Sequence, residues 1–474
     1  MSGWGARVLV LGWTCALLLA GASRGTAAEE VVGLSEVTKH RAPLEPGQRL
    51  VIRHSYGAVR LSGVDQPEVN VCAQRHVRGV SLQAVRSYLK ALATSVQPMG
   101  DRVEIETRRP GGDPRFLTQT TVDLDITLPR GTPVELNSSF GDVDAEGIGA
   151  LRATVPWGAI SVRKIAGDVN LEGKAGKVTV ADVAGDLTVA HSMQDVDASR
   201  IGGSVTIRNQ FGQIRVQGVG GRAVLANRGG PIALMNVGGG AQITCQTGQV
   251  QVSRVQGGLT VTNADESVSI SEVQGVTVIE ASNGNVIARQ VSGDLKIDNR
   301  YGVVDIATVT GNVTVKHGNQ RLRVRGVKGS AALSNSHGAI DVDGVAGDCN
   351  IHNQFASVTV HRVYGALEVF NAWGLVRADL PAPPARGEAA PWKLKTNNSN
   401  IVVGVPEKTG CALSVEVISG AIESQFPVEV QRAGNVQSAQ WAINGGGRPV
   451  DVVVDLGMAQ VQKRPAAAPR PAGN

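Results

Sequence analysis

The chain has 474 residues with 59 Gly, 3% aromatic residues and a formal charge of +5. Removing Arg7 and Arg24 with a leader peptide would leave about +3, too weak over this length to argue for a nucleic-acid partner. So few rings beside so many Val, Ile and Gly suit a narrow core of thin, identical layers, and the length needs no division into globular domains if the chain is a repeat array.

The first 28 residues read as a secretory signal. Arg7 supplies the positive start, Val8 to Ala22 is an apolar run short for a membrane span, and Thr26-Ala27-Ala28 offers small residues before Glu29-Glu30. Cleavage is expected after Ala28, and Cys15 lacks the small-residue context of a lipoprotein site. Residues 29–140 carry no period and are expected to form a β-rich cap. Leu50–His54, Ala58–Ser62, Glu68–Ala73, Arg102–Thr107 and Thr121–Leu128 alternate like short strands, and Val80–Thr94 has the apolar spacing of one helix. A cap is needed because an open stack of strands exposes unpaired N–H and C=O groups.

Residues 141–380 are expected to form the solenoid. After a 17-residue block from Gly141 to Trp157, twelve blocks of 18 run from Gly158 to Trp373 without insertion or deletion. With the opening residue of each block as position 0, positions 2, 4, 7 and 13 are aliphatic throughout. Two stretches of period-two alternation per block predict two strands per coil, and stacked coils predict a right-handed parallel β-helix. The fold class is therefore all-β, with 18-residue coils, one N-terminal helix and β-rich caps at both ends.

Position 9 is Gly in every block: Gly167, Gly185, Gly203, Gly221, Gly239, Gly257, Gly275, Gly293, Gly311, Gly329, Gly347 and Gly365. Such a corner needs either positive φ or a site without room for Cβ. Position 0 is Gly in eight blocks, with Gln194, Glu266, Gln320 and Ala356 as exceptions, and so reads as less demanding. Position 15 is Asn at Asn209, Asn227, Asn263, Asn299, Asn335, Asn353 and Asn371, which predicts a structural ladder of amides bonded coil to coil. Position 17 is often aromatic (Trp157, Phe211, Tyr301, Phe355 and Trp373, with Phe140 and Tyr56 outside the array). These rings lie mostly several coils apart and read as packing, rather than a stacking strip for sugars. Cys245 and Cys349 are about six coils, roughly 29 Å, apart and cannot bond; Cys349 falls on a core position and reads as a small buried hydrophobe.

Proline cannot donate to a ladder, so residues 381–394 are expected to leave the stack as a loop. Residues 395–460 are expected to close the far end with strands at Asn400–Val405, Ala412–Ile418, Val428–Gln431 and Val450–Leu456, and 461–474 reads as a disordered Ala/Pro tail.

Chemistry is sparse. Gly-Asp at Gly167-Asp168, Gly185-Asp186, Gly293-Asp294 and Gly347-Asp348 is too scattered for a calcium roll. The best carboxylate column is position 3 at Asp305, Arg323 and Asp341, flanked at position 5 by Arg325, Asp343 and His361. Asp305 and Asp341 would stand about 9.6 Å apart, near the upper limit for an inverting pair of a polysaccharide-active enzyme. The intervening Arg323 favours both carboxylates ionised, whereas one would have to stay protonated. No histidine pair has ligand spacing, and no nucleophile elbow or phosphate loop is present; neither cofactor nor metal is expected.

Three stretches resemble the bacterial putative-adhesin family of exported β-solenoid proteins. They are Tyr56 to Val71, Val122 to Pro129 leading into the first Gly-Asp-Val coil, and Ile401 to Pro406 with the closing Val450–Leu456 strand. This chain departs from that family's usual pattern in having more regular coils and the interruption at Pro381. The resemblance implies a periplasmic or surface-exposed solenoid without catalytic residues. The expected function is a non-enzymatic cell-envelope protein, adhesin-like or a scaffold, whose partner would be a cell-surface protein or glycan, with no transmembrane segment after signal cleavage. The alternatives are a polysaccharide-active β-helix enzyme and an envelope-stress or assembly factor.

Overall fold

Each half of a repeat becomes one strand, because its alternating apolar residues can all point inward only if the next coil lies directly above. In the block from Gly176 the strands are Val178–Val183 and Leu187–Ala190, whose Val178, Val180, Val183, Leu187 and Val189 are at most 2% exposed. Each such burial contributes about 1.5–3 kcal/mol. Ile160, Val178 and Val196 pair in parallel at steps of 18 residues, so the coils superpose residue for residue. The protein is a β-solenoid. The computed structural model describes residues 31–110, 116–381 and 389–465; the expected signal at 1–28, part of the 381–394 loop and most of the 461–474 tail lie outside them. The described residues form two compact units, divided between Gly230 and Pro231.

In the first unit the stack begins earlier than the sequence period does. The strands are β1 (Val32–Pro43), β2 (Arg49–Tyr56), β3 (Val59–Val64), β4 (Glu68–Gly79), β5 (Ala93–Met99), β6 (Arg102–Arg108), β7 (Leu117–Pro129), β8 (Val134–Phe140), β9 (Val143–Glu146), β10 (Leu151–Trp157) and β11 (Ile160–Ile165). The helix α1 (Leu82–Ala91) starts at an N-cap Ser81 that accepts from the Ala84 N–H, and buries Val85 and Leu89. On one face the order is β1–β4–β7–β3–β9–β11, and on the other β5–β6–β2–β8–β10. Thus β2–β3 is itself a coil, in register with β8–β9 through Leu50↔Val134 and Val59↔Val143. The pair β6–β7 lies outside it although it comes later in the chain. The cap proper is antiparallel: β1 on β4, β4 on β7 and β5 on β6.

The second unit uses the same device in reverse. Trp392–Asn398 re-enters in parallel register on Leu367–Trp373, so the stack resumes at Trp392, before the strand expected at Asn400. The 17-residue strand Arg448–Arg464 then pairs with both Trp392–Asn398 and Ile401–Pro406, and the earlier Cys411–Ser424 lies outside it. That last strand runs into the stretch read as a disordered tail, whose first residues, through Arg464, are ladder-bonded. Of the strand expected at Val428–Gln431 only Gln431 is extended; the chain instead forms Gln431–Ala433 and Val436–Ile443. Trp392 is fully buried, with the Arg448 guanidinium 5.3 Å from its ring centre. Arg448 is 4% exposed and donates to the carbonyls of Tyr364, Gly365 and Ala390, which satisfies a buried cation without a carboxylate.

The coil corners have three separate causes. Position 6 takes left-handed φ in all twelve coils, between +53° and +84°, from Lys164, Asp182 and Arg200 through Thr308 to Arg362. It resets the alternation, so positions 5 and 6 both face out and the aliphatic residue at 7 turns in. Position 0 is also left-handed in eleven of the twelve coils, Gly338 being the exception, and Gln194, Glu266, Gln320 and Ala356 hold φ of +91°, +80°, +76° and +76° there. It is therefore the more strained corner, contrary to its looser sequence. Position 9 is mainly a matter of room. The glycines Gly185, Gly203, Gly311 and Gly365 are not left-handed, but an added Cβ would lie 2.2–2.6 Å from the Oδ1 of Asp168, Asp186, Asp294 and Asp348. Those same Oδ1 atoms accept the N–H of the residue one coil on (Asp186, Ser204, Asn312 and Ala366) at 2.7–2.9 Å. Only Gly257, Gly275 and Gly293 add positive φ to the crowding.

Gly185→Ala is expected to lower unfolding free energy by about 3 kcal/mol, since backbone and a capping carboxylate must both move. Thr308→Gly should raise it by about 1 kcal/mol, because a β-branched residue at φ +61° loses its Cβ clash. Chemical denaturation of both variants checks the pair of opposite signs.

Candidate functional site

The position-3 column is brought together as the register requires: Asp305 pairs with Arg323, and Arg323 with Asp341, across successive strands. The bonds run diagonally. Asp305 is held by Arg325 at 2.9 Å, with Arg289 at 4.0 Å, and Asp341 by Arg321 at 2.7 Å. Position 5 continues this pattern, with Arg362 on Asp343 and His361 on Asp379 at 3.0 Å. Arg377 and Arg464 also approach Asp379, at 3.9 and 3.5 Å. The hydrogen bond that His361 donates to Asp379 raises the His361 pKa above its ordinary value, against the opposing effect of partial burial. The face is an ion ladder in which each named carboxylate holds a cation.

The seven asparagines at position 15 are buried, at most 5% exposed. Their amides do not bond one another. Asn227 donates from Nδ2 to the carbonyls of Gly212 and Gly230, Asn335 to those of Gln320 and Gly338, and Asn371 to those of Ala356 and Gly374. Asn263 and Asn299 do the same, while Asn209 reaches Gln194 and Phe211, and Asn353 reaches Phe355 and Ala356. Each amide therefore pins the left-handed corner from inside. His191, Cys245 and His317 stand in the same column, the Cys245 thiol lying 3.5 Å from the Gly248 carbonyl. Burial pushes the Cys245 thiol up to about 11 and Cys349 to about 12, so both are inert as nucleophiles.

The rings are closer than the sequence implies. Because β2–β3 is a coil, Tyr56, Phe140 and Trp157 fall on three adjacent coils, stacked at 5.2 and 6.4 Å with interplanar angles of 11° and 12°. Arg109 covers the outer face of Tyr56 at 3.7 Å, and Lys174 lies 5.3 Å from the Trp157 ring centre. Rings stacked face to face and flanked by cations present edges, not faces, to solvent. A sugar platform needs an open face, so this column is a packing device.

A concave polar surface lies on the first unit. A groove of about 540 Å³ crosses β7, β3, β9, β11 and the next strand, Val178–Val183. Its hollow comes from the small side chains of Ala58 and Ala159 between larger neighbours. Asp123 and Asp142 accept the N–H of Ala58 and Ala159, both at 2.8 Å. Arg60 pairs with Asp125 at 3.0 Å, Arg163 with Asp144 at 3.2 Å, and Lys177 with Asp197 at 2.7 Å. Ser161 and Thr179 continue the row along its floor. Ala58, Arg60, Asp123 and Asp125 lie in stretches that carry the family resemblance, but none of these residues reads as a site in the sequence, because the groove depends on β4 and β7 joining the stack out of order. Asp125, Asp144 and Asp197 are matched by cations, whereas Asp123 and Asp142 hold main-chain N–H groups, so the groove combines neutral donors and acceptors with a small negative excess. No cluster of three or more His, Cys, Asp or Glu suited to a metal ion occurs among the described residues.

No family model matches the chain, and no curated protein matches it. Among solved structures it is similar to the crystal structure of a putative cell adhesion protein from Clostridium sporogenes, at 7% identity over 90% of this chain and 100% of that one, with a TM-score of 0.15. A likeness at that score carries no argument about function.

His361 offers a pH test of the ladder. A histidine whose folded pKa is raised stabilises fully below its unfolded value near 6.5 and loses that contribution as pH rises through the folded value. The stability difference between the native chain and His361→Gln should therefore be larger at about pH 5.5 than at about pH 9, as read by urea denaturation at each pH.

Proposed function

We propose that the protein is an exported, non-enzymatic solenoid of the cell envelope, adhesin-like, binding a cell-surface glycan or protein through its outward face. One observation carries this reading. The residues that could do acid–base chemistry are engaged in coil-to-coil bonds: Asp305 with Arg325, Asp341 with Arg321, and the Gly-Asp carboxylates with main-chain N–H groups. A general acid must be kept protonated, whereas a carboxylate facing a guanidinium is held ionised. Export is supported by the apolar run from Val8 to Ala22 and the small residues before Glu29. No helix among the described residues is long and apolar enough to cross a membrane.

The groove on the first unit is the surface assigned to binding, since a hollow of this size lined by hydroxyls, an amide and paired charges matches the scale of a small-ligand or sugar site. Fractionation with protease shaving of intact cells tests location, and surface exposure is the expected result. Ala159→Trp fills the hollow from an outward position. It should weaken binding to cells or to an immobilised glycan by about tenfold or more, with the melting temperature unchanged. Activity on a polysaccharide that is lost in Asp341→Asn at unchanged melting temperature would replace this reading with an enzymatic one.

A further inference from the structure

The strand Leu322–Val327, in the second unit, presents arginine at alternate outward positions: Arg321 immediately before it, then Arg323 and Arg325. Residues two apart on one strand stand about 6.6 Å from each other at the backbone, so the three charges repel. The adjoining coils place Asp305 on one side of Arg323 and Asp341 on the other. Both carboxylates are already engaged. Asp305 is shared between Arg325 at 2.9 Å and Arg289 at 4.0 Å, and Asp341 is held by Arg321 at 2.7 Å. Asp343, which lies beside Arg325, is taken by Arg362. The Arg323 guanidinium, half-buried in the middle, makes no ion pair or hydrogen bond with a described residue. Four guanidinium groups therefore share two carboxylates.

The charges are also layered. The side chains of Asp305 and Asp341 are 20% and 28% exposed, whereas those of Arg289, Arg321 and Arg325 are 59%, 52% and 45% exposed. A guanidinium stands on a longer stem than a carboxylate, so the carboxylates form a floor and the cations form the surface that a partner meets. Ala307 lies between Arg289 and Arg325 in the ladder, and no large side chain fills the space between their heads. Arginine binds planar oxyanions through two N–H groups at once. The carboxylate floor disfavours a densely charged polymer such as nucleic acid, and suits one whose charges are spaced by neutral units.

We propose that this face binds an acidic polysaccharide, with the Arg323 guanidinium donating two N–H groups to a carboxylate or sulfate of the polymer while Arg289, Arg321 and Arg325 attract its neighbours. That the polymer is a glycan rests on the function proposed above. The face is a second site, since the groove lies on the first unit.

Binding of the full chain to immobilised polygalacturonate and dextran sulfate, with uncharged dextran and single-stranded DNA alongside, tests this and separates carboxylate from sulfate recognition. The native chain should bind at least one acidic polysaccharide at least about tenfold more tightly than dextran or DNA, and less tightly as salt rises. Arg323→Gln should weaken that binding about tenfold at unchanged melting temperature, because the side chain it removes holds nothing in the fold. Asp305→Asn should tighten it by about threefold or more, and decides alone if Arg323→Gln fails to fold. Arg200→Gln removes the same charge from a pair on the first unit and should change binding less than about twofold. Ala159→Trp should likewise leave polymer binding as it is, so failure of the groove and failure of this face are read separately. Cell binding without affinity for either acidic polymer overturns this inference alone. DNA bound as tightly as the acidic polymers, an Arg323→Gln chain that binds like the native one, or an equal loss in Arg200→Gln overturns it as well.

Discussion

Everything in this protein follows from one constraint, that each coil must lie directly on the last, atom over atom. Superposition at the strands is cheap, because parallel ladders accept any side chain on the outward face. At the corners it is expensive: backbone meets backbone, and the added Cβ of Gly185 would stand 2.7 Å from the Gly167 carbonyl carbon. The array therefore spends its invariant residues on corners. Glycine at position 9 leaves room for the carboxylate or hydroxyl of the previous coil, which in return caps the next N–H. Asparagine at position 15 holds the left-handed corner at position 0 from inside. The interior aliphatics supply most of the free energy, but the corners favour the period of 18, since each corner residue is fitted to the one directly beneath it.

The sequence made the period, the strands and the core legible, because their cause is residue type at fixed spacing. Val178, Val196 and Ile214 announce themselves as a column. What it hid has a different kind of cause. Position 6 is Lys, Asp, Arg, Gly, Asn, Glu, Gln or Thr in different coils, and nothing in that mixture signals a left-handed residue. The coil demands the conformation and the side chain tolerates it. The stacking of Tyr56 on Phe140 was equally unreadable, since it depends on β2–β3 being inserted between later elements. The asparagine column reads as a ladder of amides, yet the amides reach main-chain carbonyls and not one another, because the corner turns its carbonyl inward within reach.

The same division bears on function. A solenoid offers few places for chemistry: the outward faces, the corners and the ends. Here the corners are structural, and the outward charges bridge coils, as Arg200 does to Asp182 and Arg325 to Asp305. Exposed pairs of this kind add little stability singly. Their effect is on chemistry, since a carboxylate held by a guanidinium is a poor general acid. The groove lies where the regular stack gives way to the cap.

The ends also explain why so regular a stack does not simply recruit more strands. A flat terminal coil would present a full row of unpaired groups to any other β-strand. In the first unit the free edges belong to antiparallel β1 and β5, and Pro98 in β5 removes a donor. In the second, Val436–Ile443 covers the outer strand only from Cys411 to Val417. Beyond it the Gln437 side chain takes over: its Oε1 accepts the Ile422 N–H and its Nε2 donates to the Gly420 carbonyl, both at 3.1 Å. A side-chain amide thus occupies the place a neighbouring peptide group would take. Interleaving a coil out of chain order, β2–β3 in one unit and Arg448–Arg464 in the other, adds to this. The outermost coil is bonded to a strand far from it in sequence, so it cannot peel away by simple fraying from a chain end.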